Sequence, residues 1–152
     1  MTQRVFRSVP DLEAAVGEEL GPTDWVEITQ DTVDGFADLT GDHQWIHVDV
    51  DRARTSPFGG TIAHGYLTLS MLPSFSTSLY SIKAGTARLN YGLEKVRFPA
   101  SVLVGSKVRA TATIKQIRQV SAGTQVRVGW TVEADGVARP VCVAESITLV
   151  VP

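Results

Sequence analysis

The sequence contains one cysteine, Cys142, so no disulfide can form within the chain. No apolar stretch approaches the roughly 20 residues that a membrane-spanning helix requires. Lysine and arginine form no basic block and the formal net charge is −2, which disfavours nucleic acid as a partner. The first residues lead into no apolar segment, so we expect no signal peptide. Together these absences predict a cytoplasmic protein with no nucleic-acid or membrane partner.

A chain of 152 residues, 43% of them hydrophobic and 20% charged, has the size and composition typical of one globular domain. A domain of this length buries about two thirds of its unfolded surface, so its core needs no disulfide or metal. We therefore expect a single domain over residues 1–152. Because Cys142 lies in an apolar run, we expect its thiol to be buried and unreactive.

The C-terminal half alternates apolar and polar residues, which is the pattern of half-buried strands. One run begins at Lys107, a second follows a turn at residues 121–123, and residues 141–151 form a third. The third run is more apolar and could be a central strand buried on both faces. Short connections predict an antiparallel meander, and a further strand is expected over residues 87–98 with a bulge at Gly92. The core-facing positions of the first two runs are Val108, Ala110, Ala112, Ile114, Val126, Val128, Trp130 and Val132.

The N-terminal half carries signals for helices. A short strand is expected over residues 25–28, and Thr29 is a plausible N-cap for the helix that follows. Gly41 would end that helix. Asp49 is in position to cap a short helix over residues 50–53, or to hydrogen-bond a loop.

A second long helix should begin near His64 or Gly65 and run toward Tyr80. It is apolar nearly all round at first, so we expect it to be buried, with a kink or interruption at Pro73. One buried helix against an antiparallel sheet of about five strands is an α+β layout in which the sheet wraps around the helix. The hotdog fold is the main architecture of this kind.

The segment that follows the first helix has the residue types needed for proton transfer. Thr40-Gly41-Asp42 is followed by His47, five residues after Asp42, and then by Asp49. Asp42 comes just after a helix end and His47 lies in a loop, so a turn can direct both side chains toward one water molecule. An ordinary histidine pKa near 6.5 suits proton transfer around neutral pH.

A second motif, Ile62-Ala63-His64-Gly65, opens the expected central helix. With the Asp-to-His segment, it resembles the MaoC-like dehydratases, the R-specific enoyl-CoA hydratases. The sequence Asp-His-Gln-Trp-Ile-His is similar to that of the NodN-like branch. Elsewhere the family usually has asparagine and proline where this chain has Gln44 and Trp45. The resemblance extends loosely over the whole chain and implies a hotdog fold.

The resemblance implies that Asp42 and His47 share a catalytic water. We assign His47 as the base that activates the water and Asp42 as the proton donor to C2 of the enoyl group. The two roles could be reversed, and they exchange in dehydration. The main-chain N–H of Gly65 would stabilise the thioester oxygen at the helix N-terminus. A glycine there would let the ligand approach the backbone closely.

Four further residues are weaker candidates for substrate binding. Gln44 keeps an amide group on a longer stem, and His64 is expected mainly to cap or brace the helix start. Lys95 and Arg97 lie on one expected strand face and could meet the phosphates of CoA, although solvated strand charges are the commoner case. His43 is expected to face solvent or the pocket rim.

The resemblance also implies a (3R)-hydroxyacyl product, a role in fatty acid metabolism, no cofactor and no metal. The histidines and carboxylates have no zinc-like spacing, such as two histidines four residues apart on a helix. The substrate would be a thioester of CoA or of acyl carrier protein. We expect a homodimer that joins the two sheets side by side, with the substrate tunnel near the seam.

Two other functions are compatible with a hotdog fold. A hotdog acyl-CoA thioesterase also uses a carboxylate and water, but its water attacks the carbonyl carbon. A non-catalytic acyl-binding subunit of a heterodimer usually lacks the Asp-His pair. The presence of both Asp42 and His47 favours the hydratase over these alternatives.

Overall fold

Short helices and strands occupy the first half of the chain, and long strands occupy the second half. The computed structural model describes residues 2–152, so Met1 of the expected domain lies outside the described residues. In chain order the elements are β1 (Arg4–Phe6), α1 (Val9–Ala14), β2 (Glu19–Leu20), β3 (Val26–Glu27), α2 (Gln30–Thr40), α3 (Trp45–Val48), α4 (Val50–Arg54), α5 (Gly65–Ser70), α6 (Leu72–Leu79), β4 (Tyr80–Ile82), β5 (Ala87–Arg97), β6 (Lys107–Val120), β7 (Gly123–Ala134) and β8 (Cys142–Val151).

The main sheet has six strands in the order β2-β6-β7-β8-β5, with β3 also paired to β6. All of its pairings are antiparallel, which confirms the meander predicted for β6, β7 and β8. The register of β5 against β8 shifts between Asn90 and Gly92, which confirms the bulge expected at this point. The short strands β1 and β4 form a separate parallel pair.

Alternation along β6 and β7 sorts their side chains into buried and solvent-facing sets. All eight side chains predicted to face the core are at most 2% exposed. In β8 the prediction of burial on both faces is wrong at Val143, which is 38% exposed. Its neighbours Cys142 and Ala144 are buried, because successive strand side chains point to opposite faces.

The expected long helix lies against the inner face of this sheet as two pieces, α5 and α6. The break falls at Met71, two residues before Pro73, and confirms the predicted interruption. Proline has no N–H, and its ring conflicts with the carbonyl four residues earlier, so an uninterrupted helix through Pro73 is disfavoured. Leu72 and Phe75 join the core, but Tyr66 is 70% exposed. The prediction of burial all round is therefore wrong for the first turn.

The helix α2 places Asp42 at the start of a loop. Its N-cap is Thr29, whose hydroxyl accepts a hydrogen bond from the Thr32 N–H. Its C-cap is Gly41, with a left-handed φ of 81°. Glycine adopts this conformation without steric cost, so the chain can turn here and leave Asp42 directly after the helix. As predicted, Asp49 caps the short helix α4.

The buried thiol of Cys142 is also as expected from the sequence. Burial raises its pKa to about 11, so the reactive thiolate form is scarce at neutral pH. Among residues 2–152, none of the helices is long and apolar enough to cross a membrane.

Candidate active site

Asp42 and His47, five residues apart, face each other across a turn. The distance between Asp42 Oδ2 and His47 Nε2 is 3.8 Å. That is longer than a direct hydrogen bond, and a water or a substrate hydroxyl beside the pair can hydrogen-bond to both atoms. The His47 ring is buried and the Asp42 side chain is half exposed. The structure thus brings together the two residues that the sequence singled out, one on each side of a small polar gap.

The His47 ring is held in one tautomer by a main-chain carbonyl. Its Nδ1 lies 2.7 Å from the carbonyl oxygen of Ile62, which can only accept a hydrogen bond. In the neutral ring the proton is therefore on Nδ1, and Nε2 keeps its lone pair toward Asp42. The Ile62 N–H donates to the carbonyl of Ile46 at 2.9 Å, so the chain around Ile62 is hydrogen-bonded to α3. His47 is oriented as a base whose accepting nitrogen faces the gap.

Gln30, the first residue of α2, supports the main chain of His47. Its Nε2 donates to the carbonyl of His47 at 2.8 Å, and its Oε1 accepts from the hydroxyl of Thr61 at 2.6 Å. These contacts span 17 and 31 residues of sequence. Neither Gln30 nor Thr61 could be predicted as a supporting residue from the sequence, because local sequence carries no signal of such distant contacts.

The Asp42 loop is fixed by hydrogen bonds to its main chain and carboxylate. The N–H of Gln44 donates to Asp42 Oδ1 at 3.4 Å, which leaves Oδ2 toward the histidines. The Asp42 N–H donates to the hydroxyl of Thr40, also at 3.4 Å. The Asp42 carbonyl lies 2.9 Å from Nε2 of His64.

His64 is buried between the catalytic candidates and α2. Its ring stacks on that of His47 with centroids 3.8 Å apart and an interplanar angle of 25°. Its Nδ1 meets no hydrogen-bond partner among residues 2–152. Although His64 occupies the N-cap position of α5, its side chain makes no capping hydrogen bond to the described residues. Of the two expected structural roles, capping or bracing the helix start, the capping role is therefore wrong, and the side chain supports the Asp42 loop.

Gly65 lies beside a cavity of about 240 Å³ that His47, Thr68 and Phe98 also line. A Cβ atom at Gly65 would lie 2.8 Å from Cδ2 of the Phe98 ring, well inside van der Waals contact. Close packing of Phe98 thus gives a reason for glycine at this position, besides the expected approach of a ligand. The Gly65 N–H belongs to the first turn of α5, where the earliest N–H groups have no helical acceptor.

A larger cavity of about 770 Å³ lies between α6 and the edge of the sheet formed by β5. Apolar lining residues include Leu69, Leu72, Trp130 and Ile147, and Tyr91 lines it from the edge strand. Its size and lining are suited to an apolar ligand, for which cavities of about 300–1,000 Å³ are usual.

The weaker candidates Lys95 and Arg97 lie on β5, far from the catalytic pair in sequence. The Arg97 guanidinium donates to the Val96 carbonyl at 2.6 Å, and Lys95 has a left-handed φ of 53°. The irregular register between Glu94 and Arg97 interrupts the alternation that predicted a shared face. In the described part of the chain, neither cavity has Lys95 or Arg97 in its lining. Their contact with CoA phosphates stays a prediction.

His43 and Gln44 lie on the exposed side of the same loop. His43 Nε2 lies 2.8 Å from Asp38 Oδ1, and this hydrogen bond raises the pKa of the histidine. This agrees with the expectation that His43 faces solvent. Gln44 is also exposed, at the start of α3.

Asp42, His47 and His64 each offer one possible metal-ligand atom, and these atoms lie within 4.8 Å of one another. The sequence spacing did not predict this cluster. Because His64 Nε2 is already bonded to the Asp42 carbonyl, a metal bound at that nitrogen would break the support of the loop. The absence of a metal stays a prediction.

Comparison with known proteins gives a consistent set of relatives. The family model described as the MaoC like domain matches residues 11–135. A 3-hydroxyacyl-thioester dehydratase Z of Mycobacterium tuberculosis is 56% identical over 145 residues, covering 95% of this chain and 96% of the relative. Nodulation protein N of Rhizobium leguminosarum bv. viciae is 43% identical over 146 residues, covering 94% and 91%.

A solved structure with the same fold is the (R)-hydratase from A. caviae involved in PHA biosynthesis. It superposes with a TM-score of 0.72 at 21% identity, covering 89% of this chain and 96% of the other. This likeness confirms the hotdog fold predicted from the sequence.

Proposed function

The chain belongs to the MaoC-like dehydratase family, and on that premise we propose that it interconverts trans-2-enoyl thioesters and (3R)-3-hydroxyacyl thioesters by adding or removing water. The observation that carries the proposal is the 3.8 Å gap between Asp42 Oδ2 and His47 Nε2. A water molecule that hydrogen-bonds to both atoms from beside the pair can donate a proton to the nitrogen lone pair while its oxygen approaches a bound substrate. The M. tuberculosis relative is named as a dehydratase of a 3-hydroxyacyl thioester, which is the substrate class of the proposed reaction.

In hydration, His47 Nε2 takes a proton from the water as the water oxygen bonds to C3. The electron pair of the C2–C3 double bond moves toward the thioester, and C2 takes a proton from Asp42. Solvent then returns the pair to its starting state by removing the proton from His47 and restoring the one on Asp42. In dehydration each step runs in reverse, so that Asp42 accepts the C2 proton and His47 protonates the leaving hydroxyl.

The thioester oxygen gains negative charge while this happens, and a donor must stabilise it. We assign this role to the main-chain N–H of Gly65. It lies in the first turn of α5 beside the cavity that His47 lines, where the helix dipole also favours negative charge. The reaction as written uses no cofactor and no metal.

The acyl chain needs an apolar space, and the cavity of about 770 Å³ offers one. It opens beside β5, an edge strand whose unpaired backbone groups can pair with another strand. Tyr91 on β5 is 61% exposed, and Leu89 and Leu93 are also exposed. We propose that β5 of a second copy pairs with β5 and closes the cavity in a homodimer. Lys95 and Arg97 on the same strand would then lie near the seam, where CoA phosphates could bind.

The activity test is the loss of absorbance at the enoyl thioester band for a panel of trans-2-enoyl-CoAs, followed by chiral analysis of the product. We expect a (3R)-hydroxyacyl product and full activity after treatment with a chelator. Asp42→Asn is the matched control, since it keeps the side-chain size and removes the acid. A 3S product would contradict the stereochemical assignment, and thiol release from a saturated acyl-CoA would favour the thioesterase. An inactive, folded protein that still binds acyl-CoA would favour the non-catalytic subunit.

Light scattering tests the homodimer separately. Tyr91→Glu places a charge on the exposed edge strand and should give a monomer, whereas Leu39→Glu, on the exposed side of α2, should leave the dimer intact. An active wild-type monomer of 16.4 kDa at assay concentration would refute the dimer. The cytoplasmic location and the role in fatty acid metabolism expected from the sequence stay predictions.

A further inference from the structure

We propose that His64 is a positioning residue for both catalytic groups, a role that rests on the proposed function. It would act in one fixed tautomer, with Nε2 donating to the Asp42 carbonyl and the ring stacked on His47. The residue itself would take no proton from substrate or water. Its effect would be to set the distance between the Asp42 carboxylate and the accepting nitrogen of His47.

The surroundings of the ring define the tautomer. The Asp42 carbonyl, 2.9 Å from His64 Nε2, has no proton to give, so the nitrogen must be the donor. A neutral imidazole has one N–H, and the other ring nitrogen, Nδ1, is therefore the bare lone pair. This agrees with Nδ1 being buried with no hydrogen-bond partner among residues 2–152. In the neutral ring, a proton on Nδ1 would leave that buried donor unsatisfied, and Nε2 could then no longer donate to the Asp42 carbonyl.

The position of the ring links the two catalytic side chains. Its Nε2 is 2.9 Å from the main-chain carbonyl of Asp42 and 4.0 Å from the Oδ2 of the same residue. Its plane lies against the His47 ring, and Phe36 of α2 packs at a centroid distance of 5.0 Å. Rotation of the His64 ring is thus limited by aromatic neighbours, and the Asp42 loop is attached to it. Loss of the hydrogen bond would free the loop while leaving His47 bonded to Ile62.

Misplacement of a catalytic group by about 1 Å can lower a rate by about 100-fold. We therefore expect His64→Phe, which keeps a ring but loses the donor, to lower kcat by about 10- to 100-fold with KM changed less than about 3-fold. His64→Gln places an amide N–H within reach of the same carbonyl, and it should recover most of kcat. The control is His43→Gln, at the exposed histidine next to Asp42, which should keep wild-type kcat.

The tautomers can be measured without any assay of activity. Long-range ¹H–¹⁵N correlation spectra of the wild-type protein should show His47 protonated at Nδ1 and His64 protonated at Nε2. A neutral His64 ring protonated at Nδ1 would overturn the proposal, even if the protein is an active hydratase. If instead the spectra show the predicted tautomers and the protein has no hydratase activity, the arrangement of the two rings stands and only the proposed function is refuted.

The two His64 variants test the positioning role independently of the spectra. If His64→Phe and His64→Gln lose activity equally while both remain folded, the donor to the Asp42 carbonyl does not position the site. If His64→Phe retains wild-type kcat, the same conclusion follows. Urea unfolding of each variant establishes that the compared enzymes are folded. If His64→Phe does not fold, the tautomer spectra of the wild-type protein still test the proposal.

Discussion

The strands β6, β7 and β8 and the site segment, residues 42–64, keep their shapes by different means. In the strands, a ladder of main-chain hydrogen bonds joins neighbours, with one register shift between Ile114 and Gln116, and the inward side chains are almost completely buried. In the site segment the helices are four and five residues long, and most side chains are exposed or half-buried. It is held by hydrogen bonds to individual carbonyls, such as that of Gln30 with His47 and, within the segment, that of His64 with Asp42.

This difference separates the determinants of stability from those of activity. Burial of apolar surface contributes about 25 cal/mol per Å², so the sheet and the helices packed on it carry most of the folding free energy. The hydrogen bonds of the site segment each contribute only about 0.5–1.5 kcal/mol net, but they fix the directions of two side chains. Substitutions in the two regions should therefore change different measured quantities.

The largest effect is expected in the site segment. Asp42→Asn and His47→Ala should each lower kcat by about 10²- to 10⁴-fold, because each removes a group that transfers a proton. The double variant should be little worse than either single one, since both groups act on the same water. Stopped-flow or steady-state hydration rates measure this loss. Asp42→Asn should hardly change urea unfolding, and near-normal turnover in either folded variant would refute the assigned pair.

In the sheet we expect the opposite result, a loss of stability with little change in kcat. Ile114→Ala empties a fully buried position on β6 and should lower the free energy of unfolding by about 2–5 kcal/mol. The kcat of the protein that remains folded should stay near the wild-type value. Thr131→Val, at an exposed position on β7, is the control and should change stability by less than about 0.5 kcal/mol. Urea titration measures both, and a large loss of kcat in folded Ile114→Ala would show that the two regions are not separable.

The same contrast explains what could be predicted from the sequence. Alternation in β6 and β7, the cap at Thr29 and the left-handed residue Gly41 are local signals, and each predicted its element correctly. The errors arose where the outcome depends on distant neighbours. Tyr66 looked buried because its own helix turn is apolar, yet the face it occupies is open to solvent.

The site was predicted in part for the same reason. Asp42 and His47 lie five residues apart, so their meeting depends on one turn. The contact of Gln30 with the His47 carbonyl and that of His64 with the Asp42 carbonyl join residues 17 and 22 positions apart. No periodicity or spacing rule encodes such contacts, since they require the folded arrangement of α2, α3 and α5.

Gly65 directly follows the site segment and connects it to the helix packed on the sheet, and it lines the cavity with His47. Gly65→Ala places a methyl group 2.8 Å from the Phe98 ring, so the ring or the helix start must move. We expect a loss of about 1–3 kcal/mol in unfolding free energy, as is typical of overpacking, together with a fall in kcat. The second change Phe98→Leu should restore part of the stability. Unchanged stability in Gly65→Ala would show that Phe98 moves aside without cost.

The smallest effect is expected at the exposed side of the site segment, at His43. Its hydrogen bond with Asp38 raises the pKa of the imidazole above the usual 6.5, with weaker contributions from the Gly41 carbonyl and the charge of Asp42. Because the pKa is raised in the folded state, this contact stabilises the fold below the unfolded pKa near 6.5, and the stabilisation is lost as pH rises through the folded value. Asp38→Asn should move the pKa back toward 6.5 and leave kcat unchanged. Titration of the His43 ring proton by NMR measures the shift, and a pKa that stays raised in Asp38→Asn would assign it to the loop rather than to Asp38.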